Sequence, residues 1–480
     1  MASGGNAGWR LRAGSLWADA WRWSLFAGGV AFAVYLLLDR GIPNGAVAAA
    51  AVACLTVAAV LTAAEPMAIA LMATPALLVT DRMGLGGVDL TVSDVALAAA
   101  FGAVILLGKH DYSPPMRALL WANLLYQFAT VFTVIINPFP QNTVEWVHAW
   151  MLISGSLIVG WALGRAGKAR LAFLLLLGGI GVIALGTFTT AIGQFLQGDV
   201  FAPVYPNWPW AMHKNFAGSA VALGALIAYV RPPWAQLPKR WMTFAFWTFL
   251  VALLLTQSRQ AAIGLAVGLL IYIARQRGAR NVALIIAIIV PGVILVVQSV
   301  IDQVDSQNQF NSFYQRVDWL REVYALWKLS PIVGHGLRYW YVQPWAAFQP
   351  PQAEVEVLAS AGVVGLLGFV IMWLVILVVL WRVDPRFGML AVGVAAARIV
   401  QAQFDLFWVA AQVSLPFLVV GICLGAQQLA RSESSDPPSY WREPRERRTR
   451  RRGASVPSRA MVRAGLADDV AAYDRAKGGN

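Results

Sequence analysis

The chain has 480 residues, 59% of them hydrophobic and 13% charged, with 21 tryptophans and a formal net charge of +13. A soluble globular domain carries about 25% charged residues, so this composition excludes a soluble protein and indicates a polytopic membrane protein. The densest basic run is "WREPRERRTRRR" at 441–452, which fits a tail beside an anionic leaflet better than nucleic-acid binding.

A membrane-crossing helix needs about 20 apolar residues. In chain order such runs fall at 21–38, 44–63, 66–80, 92–108, 117–135, 144–164, 171–193, 215–231, 241–256, 259–274, 281–300, 355–381, 387–403 and 406–430. The length rule therefore predicts an all-α integral membrane protein of about 12–14 transmembrane helices. The first run follows "WRLRAGSLWADAWRW" and reads as an anchor, not a cleaved leader. Cys54 and Cys423 lie in apolar runs and read as packing residues, not as a disulfide or metal pair. No internal repeat is visible. From 431 onward the chain loses periodicity and reads as a disordered basic tail.

Basic residues flank cytoplasmic helix ends. With Arg10, Arg12 and Arg22 inside, alternation also places inside Lys109 and Arg117; Arg165, Lys168 and Arg170; Arg231, Lys239 and Arg240; Arg275, Arg277 and Arg280; and Arg382 and Arg386. The expected organisation is a cytoplasmic N-terminus at 1–20, transmembrane helices at 21–300, an extracytoplasmic loop at 301–354, further helices at 355–430 and a cytoplasmic tail at 431–480.

Three outer segments are too polar or too broken to cross: 137–146, 197–215 and 301–354. Long loops are often functional. Within the third, "NSFYQRVDWLREVYALWKL" puts Val317, Leu320 and Tyr324 on one stripe, with Trp319, Val323 and Trp327 beside it. That spacing predicts an amphipathic helix at 312–329, lying on the outer face.

The outer side also holds Arg40, Arg82, Lys214, Arg259, Arg316, Arg321, Lys328 and Arg338. Arg259 follows a helix ending near Thr256 and opens the next apolar run. At that depth a guanidinium meets lipid phosphate or diphosphate, whose oxygens it binds bidentately. The alternative is a snorkelling arginine that sets helix depth. Asp94 and Asn215 read as helix caps. Arg398 and Asp405 flank the last outer turn, where they can pair with each other or face the site.

Four motifs occur in order: "HKNFAGSAVALG" (213–224), "TQSRQAAIG" (256–264), "QRVDWLREVYALWKLSPIVGHGLRYW" (315–340) and "VEVLASAGVVGLLGF" (355–369). Together, over roughly 210–370, they resemble the bacterial O-antigen ligase and polymerase family, which includes teichuronic-acid-type proteins. The resemblance implies a multi-pass glycosyltransferase of the cytoplasmic membrane with its active face outside. Its donor would be a polyprenyl-diphosphate-linked glycan and its acceptor a glycan or glycolipid, with membrane lipid around it. It would need no cofactor, no metal and no nucleic acid. By motif, Arg259 and Arg316 would bind the diphosphate, with Arg338 or Arg321 assisting. His213, Lys214 and Asn215 would lie at the substrate.

One departure is evident. The family's His-Asn pair, eleven residues before the motif glycine (here Gly362), is replaced by Pro351 and Gln352. The resemblance makes that histidine the general base. Glu354 and His335 are the leading substitutes, with Glu356, His213, Glu145 and His148 also near the outer face. A repeat-unit polymerase of the same family, a transporter of lipid-linked glycan and a non-catalytic binder are the rival readings to a ligase. Spans nearly free of mid-membrane charge and the lack of a repeat argue against transport.

Overall fold

A computed structural model describes residues 65–82, 90–199, 202–275, 312–342 and 349–433, together with isolated residues between 17 and 31 and Thr62. The helices are α1 (Ala68–Ala76), α2 (Val92–Leu107), α3 (Pro114–Ile136), α4 (Pro140–Arg165), α5 (Ala169–Leu196), α6 (Lys214–Val230), α7 (Lys239–Thr256), α8 (Arg259–Arg275), α9 (Ser312–Leu329), the single turn α10 (Tyr339–Val342), α11 (Ala353–Arg382), α12 (Pro385–Gln401) and α13 (Ala410–Glu433). The described residues contain no strand, only an isolated bridge between Arg82 and Thr91. Among them α3, α4, α5, α11 and α13 are long and apolar enough to cross a membrane. The protein is an all-α, multi-pass membrane protein.

Several expectations lie outside the described residues: Arg10, Arg12, Arg22, Arg40, Cys54, most of the first two runs, the run 281–300, Arg277, Arg280 and the tail from 434. Arg316 is placed on α9, but its side chain also lies outside them.

Local chemistry sets the helix boundaries. Thr91 and Asp94 form a reciprocal capping box at the start of α2, which satisfies two otherwise orphaned amides. Proline opens α3, α4 and α12, where its missing N–H costs nothing. The expected crossing at 66–80 is not made by α1 alone. Its nine residues rise about 14 Å, half of a hydrocarbon core of about 30 Å. The polar segment 137–146 supplies the first turns of α4 from Pro140 onward. A π-helical turn at Met151–Gly155 follows within α4.

Without a hydrophobic drive between helices in lipid, close packing depends on small residues. The second part of α4 crosses α13 through paired Gly-x-x-x-Gly segments. A methyl on Gly160 would sit 2.1 Å from the Leu418 carbonyl oxygen, and one on Gly164 2.3 Å from that of Ile422. Reciprocally, a methyl on Gly421 would sit 2.3 Å from the Leu157 oxygen and one on Gly425 2.2 Å from that of Trp161. This seam joins the early and late parts of the chain.

The bundle has two chemically distinct ends. At the basic end Arg165 grips Asp111 and Ser432, Lys168 pairs with Glu65, and Arg275 donates to the Trp381 and Val383 carbonyls. At the loop end the start of α4 and the turn 330–337 meet at a break in α11. Gly362 there has φ 64° and ψ −166°, a region open essentially only to glycine. The break detaches the amides of Val363 and Val364 from the carbonyls four residues earlier. The turn 330–336 takes up all four groups. His335 and Gly336 amides donate to the Ala359 and Ser360 oxygens at 3.1 and 2.9 Å, while Val363 and Val364 amides donate to the Pro331 and Ile332 oxygens at 2.9 and 3.2 Å. Gly334, at φ 70°, lets the two backbones touch. Thr133 Oγ1 also donates to the Ser360 oxygen, at 2.9 Å.

The amphipathic helix occupies the expected residues, and the structure selects one of its two stripes. Val323 is buried and Trp319, Leu326 and Trp327 are half-buried, whereas Leu320 and Tyr324 are exposed. The Trp319–Val323–Trp327 stripe therefore packs on the protein. The neighbouring stripe is left free because the turn at 330–336 sets the rotation of α9.

Gly362→Ala is expected to cost about 3 kcal/mol or more, from forbidden backbone and a methyl that would lie 2.2 Å from the Ile332 oxygen. Thermal unfolding of detergent-solubilised protein reads this, and a wild-type midpoint would contradict the exchanged hydrogen bonds. Gly160→Leu should prevent recovery of monodisperse protein, whereas Gly178→Leu, whose Cβ position is open, should not. Size-exclusion chromatography distinguishes the two.

Candidate functional site

The turn between α7 and α8 is two residues long, with Gln257 in the left-handed region at φ 50°. Thr256 Oγ1 donates to the Leu253 oxygen at 2.7 Å. Ser258 is buried against Gly218 of α6, where a methyl would lie 2.4 Å from the Ser258 Cβ. This contact brings the start of α6 beside the start of α8. Ser258 Oγ lies 3.5 Å from Asn215 Oδ1, and Lys214 and Arg259 are near enough to repel each other. Arg259 is exposed. Lys214 Nζ sits 5.8 Å over the Tyr205 ring. Among the described residues neither cation meets an acidic partner. The cap of α6 is His213, whose Nδ1 accepts from the Asn215 amide at 3.2 Å. Asn215, expected as the cap, instead turns its side chain toward Ser258.

A polar path continues from this pair. Gln260, buried beside Arg259, donates to Asp405 at 2.6 Å. The turn carrying Asp405 docks on the start of α11, where the Ala353 amide donates to the Ala402 oxygen at 2.9 Å and Gln403 donates to Glu354 Oε1 at 2.7 Å. Glu354 Oε2 has no partner among the described residues. Arg398 does not pair with Asp405. It is buried and donates to Gln412, Leu406 and Phe407.

A second cluster lies where α2, α4, α10 and α11 meet. His148 Nε2 lies 2.9 Å from Asp94 Oδ1, and its Nδ1 lies 3.4 Å from Glu145 Oε1. Glu145 Oε2 pairs with Arg338 Nε at 2.8 Å, and the Arg338 guanidinium lies 4.5 Å over the Tyr341 ring. Tyr341 Oη donates to Gln349 at 2.6 Å, and Gln349 Nε2 donates to Glu356 Oε1 at 2.7 Å. Glu356 is 2% exposed. Burial raises the Tyr341 phenol above its ordinary pKa, against the pull of Arg338. The Leu337 amide donates to Asn142 Oδ1 at 2.6 Å, which anchors α10 to the start of α4.

The sequence-predicted residues thus separate into groups. Lys214, Asn215 and Arg259 come together, with His213 as their cap. Glu354 stands on the path leading from them. Arg338 is engaged with Glu145. His335 Nε2 donates to the Leu326 oxygen at 2.8 Å, which ties the turn to α9. Arg321 is exposed and pairs with Asp318 at 3.1 Å on the same helix, so it does not converge with the others. Gln349 escaped sequence reasoning, and Asp94 was legible only as a cap. The available signal was Glu145 and His148, three apart and so on one face of a helix.

Fold and geometry define a multi-pass α-helical membrane protein with a polar belt at one end. Residues 244–370 match the family model described as O-antigen ligase. That segment runs from within α7 into α11 and contains Arg259, Arg316, His335, Arg338, Glu354 and Gly362. The match supports assignment to the O-antigen ligase and polymerase family and a membrane glycan-transfer function. No curated protein matches the chain.

Removing one partner of a buried ion pair leaves the other uncompensated, at about 3 kcal/mol. Glu145→Ala is therefore expected to destabilise by about that amount, and Arg338→Ala comparably. The double variant should cost clearly less than the two added together. A thermal-unfolding double-mutant cycle measures the coupling, and strict additivity would mean that the pair does not join α10 to α4.

Proposed function

We propose that the protein is a glycosyltransferase of the cytoplasmic membrane, acting at its outer face. It moves a glycan from a polyprenyl diphosphate carrier to a hydroxyl of a glycan or glycolipid acceptor. The observation that carries this reading is the meeting of Lys214 and Arg259. They come from separate motifs, stand at the loop end of the bundle, and lack acidic partners among the described residues. Two adjacent cations repel each other, so holding them together favours a ligand with at least two negative charges, and a diphosphate has that chemistry. Arg316 on α9 is a third cation for the same group.

In the proposed reaction the acceptor oxygen attacks the anomeric carbon on the face opposite the diphosphate. The new carbon–oxygen bond forms as the bond to the diphosphate oxygen breaks. The acceptor proton passes to a carboxylate, and the polyprenyl diphosphate leaves with its added charge balanced by Arg259, Lys214 and Arg316. Such preorganised cations stabilise charge that develops in the transition state. Glu354 is the carboxylate we assign as base. Gln403 orients one of its oxygens and the other is unpartnered. His335, with Nε2 already donating to a backbone carbonyl, holds the loop.

The lipid-linked glycan pool tests this in cells lacking the protein, complemented with wild type or variants. Loss of function should accumulate long polymer on the carrier for a ligase and single repeat units for a polymerase. Arg259→Ala should match the deletion. Lys214→Ala should slow transfer about 10- to 100-fold, as for loss of one charge-assisted contact. Glu354→Gln should slow it about 10²- to 10⁴-fold. A pool unchanged by deletion overturns the transferase reading, and full activity in Glu354→Gln removes that residue as the base.

A further inference from the structure

The basic end of the bundle contains a cavity that the glycan-transfer reading does not use. It has a volume of about 440 Å3 and lies among the last turn of α6, the first turns of α7 and α12, and Tyr272 of α8. That size is typical of small-molecule sites. Its polar wall is cationic, with Arg231, Lys239 and Arg386 and no acidic residue lining it. Arg386 is partly neutralised by Asp384 at 2.9 Å. Arg231 and Lys239 have no acidic partner among the described residues. Lys239 opens α7, and that helix carries no acid in its first turn. A cation there opposes the helix dipole, so local helix chemistry does not account for it.

The cavity is built rather than incidental. Trp234 Nε1 donates to the Arg386 carbonyl at 2.9 Å and its ring stacks on Phe387 at 5.4 Å. This bolts the 231–238 connection onto the start of α12. The opposite wall is apolar and includes Met242, Phe246 and Trp247. Trp247 is also 58% exposed and continues a bare apolar strip along α7 through Trp241, Phe244, Val251 and Leu254. In a membrane protein such a strip faces acyl chains.

We propose that this cavity binds the head group of an anionic glycerophospholipid, with the phosphate between Arg231 and Lys239 and an acyl chain leaving along the exposed face of α7. Charge complementarity selects an anion, and the continuous apolar strip selects one that carries a tail over a free phosphate. The site stands at the opposite end of the bundle from Lys214 and Arg259, so it is independent of the glycan-transfer reading.

The test uses the full chain in a neutral detergent, titrated with phosphatidylglycerol, phosphatidylcholine or inorganic phosphate, with bound lipid counted by native mass spectrometry and stabilisation read by thermal unfolding. Phosphatidylglycerol should bind at least tenfold more tightly than phosphatidylcholine. Arg231→Gln with Lys239→Gln should weaken it about 25-fold, from about fivefold per cation. Arg170→Gln, another exposed cation at this end, should leave it unchanged. Should the double variant fail to fold, Lys239→Gln alone, at an exposed helix start, is expected to weaken binding about fivefold. Equal binding of the two lipids, or undiminished binding in these variants, overturns the proposal. Inorganic phosphate stabilising as well as the lipid overturns the assignment of a tailed ligand.

Discussion

The hydrogen-bond exchange at Gly362 is the constraint on which the loop end depends. A helix broken inside a membrane protein exposes amides and carbonyls that lipid cannot satisfy. Here the turn 330–336 supplies the missing donors and acceptors from a segment between α9 and α10. Three glycines permit it, Gly334 and Gly362 by their backbone angles and Gly336 by leaving room for the Phe139 ring. Because the exchange is backbone to backbone, it positions the turn without relying on flexible side chains. His335, Arg338 and the rotation of α9 follow from it.

The cations at this end divide by what they meet. Arg338 is matched by Glu145 and its face covers Tyr341. Arg321 is matched on its own helix and remains in solvent, where such a pair adds little. Lys214 and Arg259 are different, because the close approach of Gly218 to Ser258 sets the starts of α6 and α8, and so two like charges, side by side. A protein tolerates that arrangement when a ligand supplies the opposite charge, which is why these residues and not the more buried Arg338 carry the functional reading. Glu354 is reached from them through Gln260, the turn bearing Asp405, and Gln403.

The glycine seam between α4 and α13 has a related consequence. It locks the helix that carries Glu145 and His148 against the last helix of the described chain. Residues from early and late parts of the sequence are thereby held in one polar belt. The segment matching the O-antigen ligase model runs from within α7 into α11. The second cluster is completed by Asp94, Glu145 and His148, which lie before that segment, so the polar belt extends beyond it.

Much was legible in the sequence because each feature was local. Among the described residues most apolar runs gave the helices to within a few residues, the spacing in 312–329 gave the amphipathic helix, and the Arg259 motif announced a cation at a helix start. Failures came where a neighbour decides. The run 66–80 is apolar enough to cross, but the chain turns after Ala76. His213 rather than Asn215 caps α6 because Ser258 competes for the Asn215 side chain. The face α9 presents could not be chosen between two adjacent apolar stripes. By itself, then, the sequence determined an all-α multi-pass protein and the cations that open its outer helices, since hydrophobic length and charge act over a few residues. Only the tertiary structure decided that Lys214 joins Arg259, that Arg338 is consumed by Glu145, and that Gly362 receives a turn about thirty residues earlier in the chain. Such pairings depend on backbone contacts between distant segments, to which residue spacing is blind.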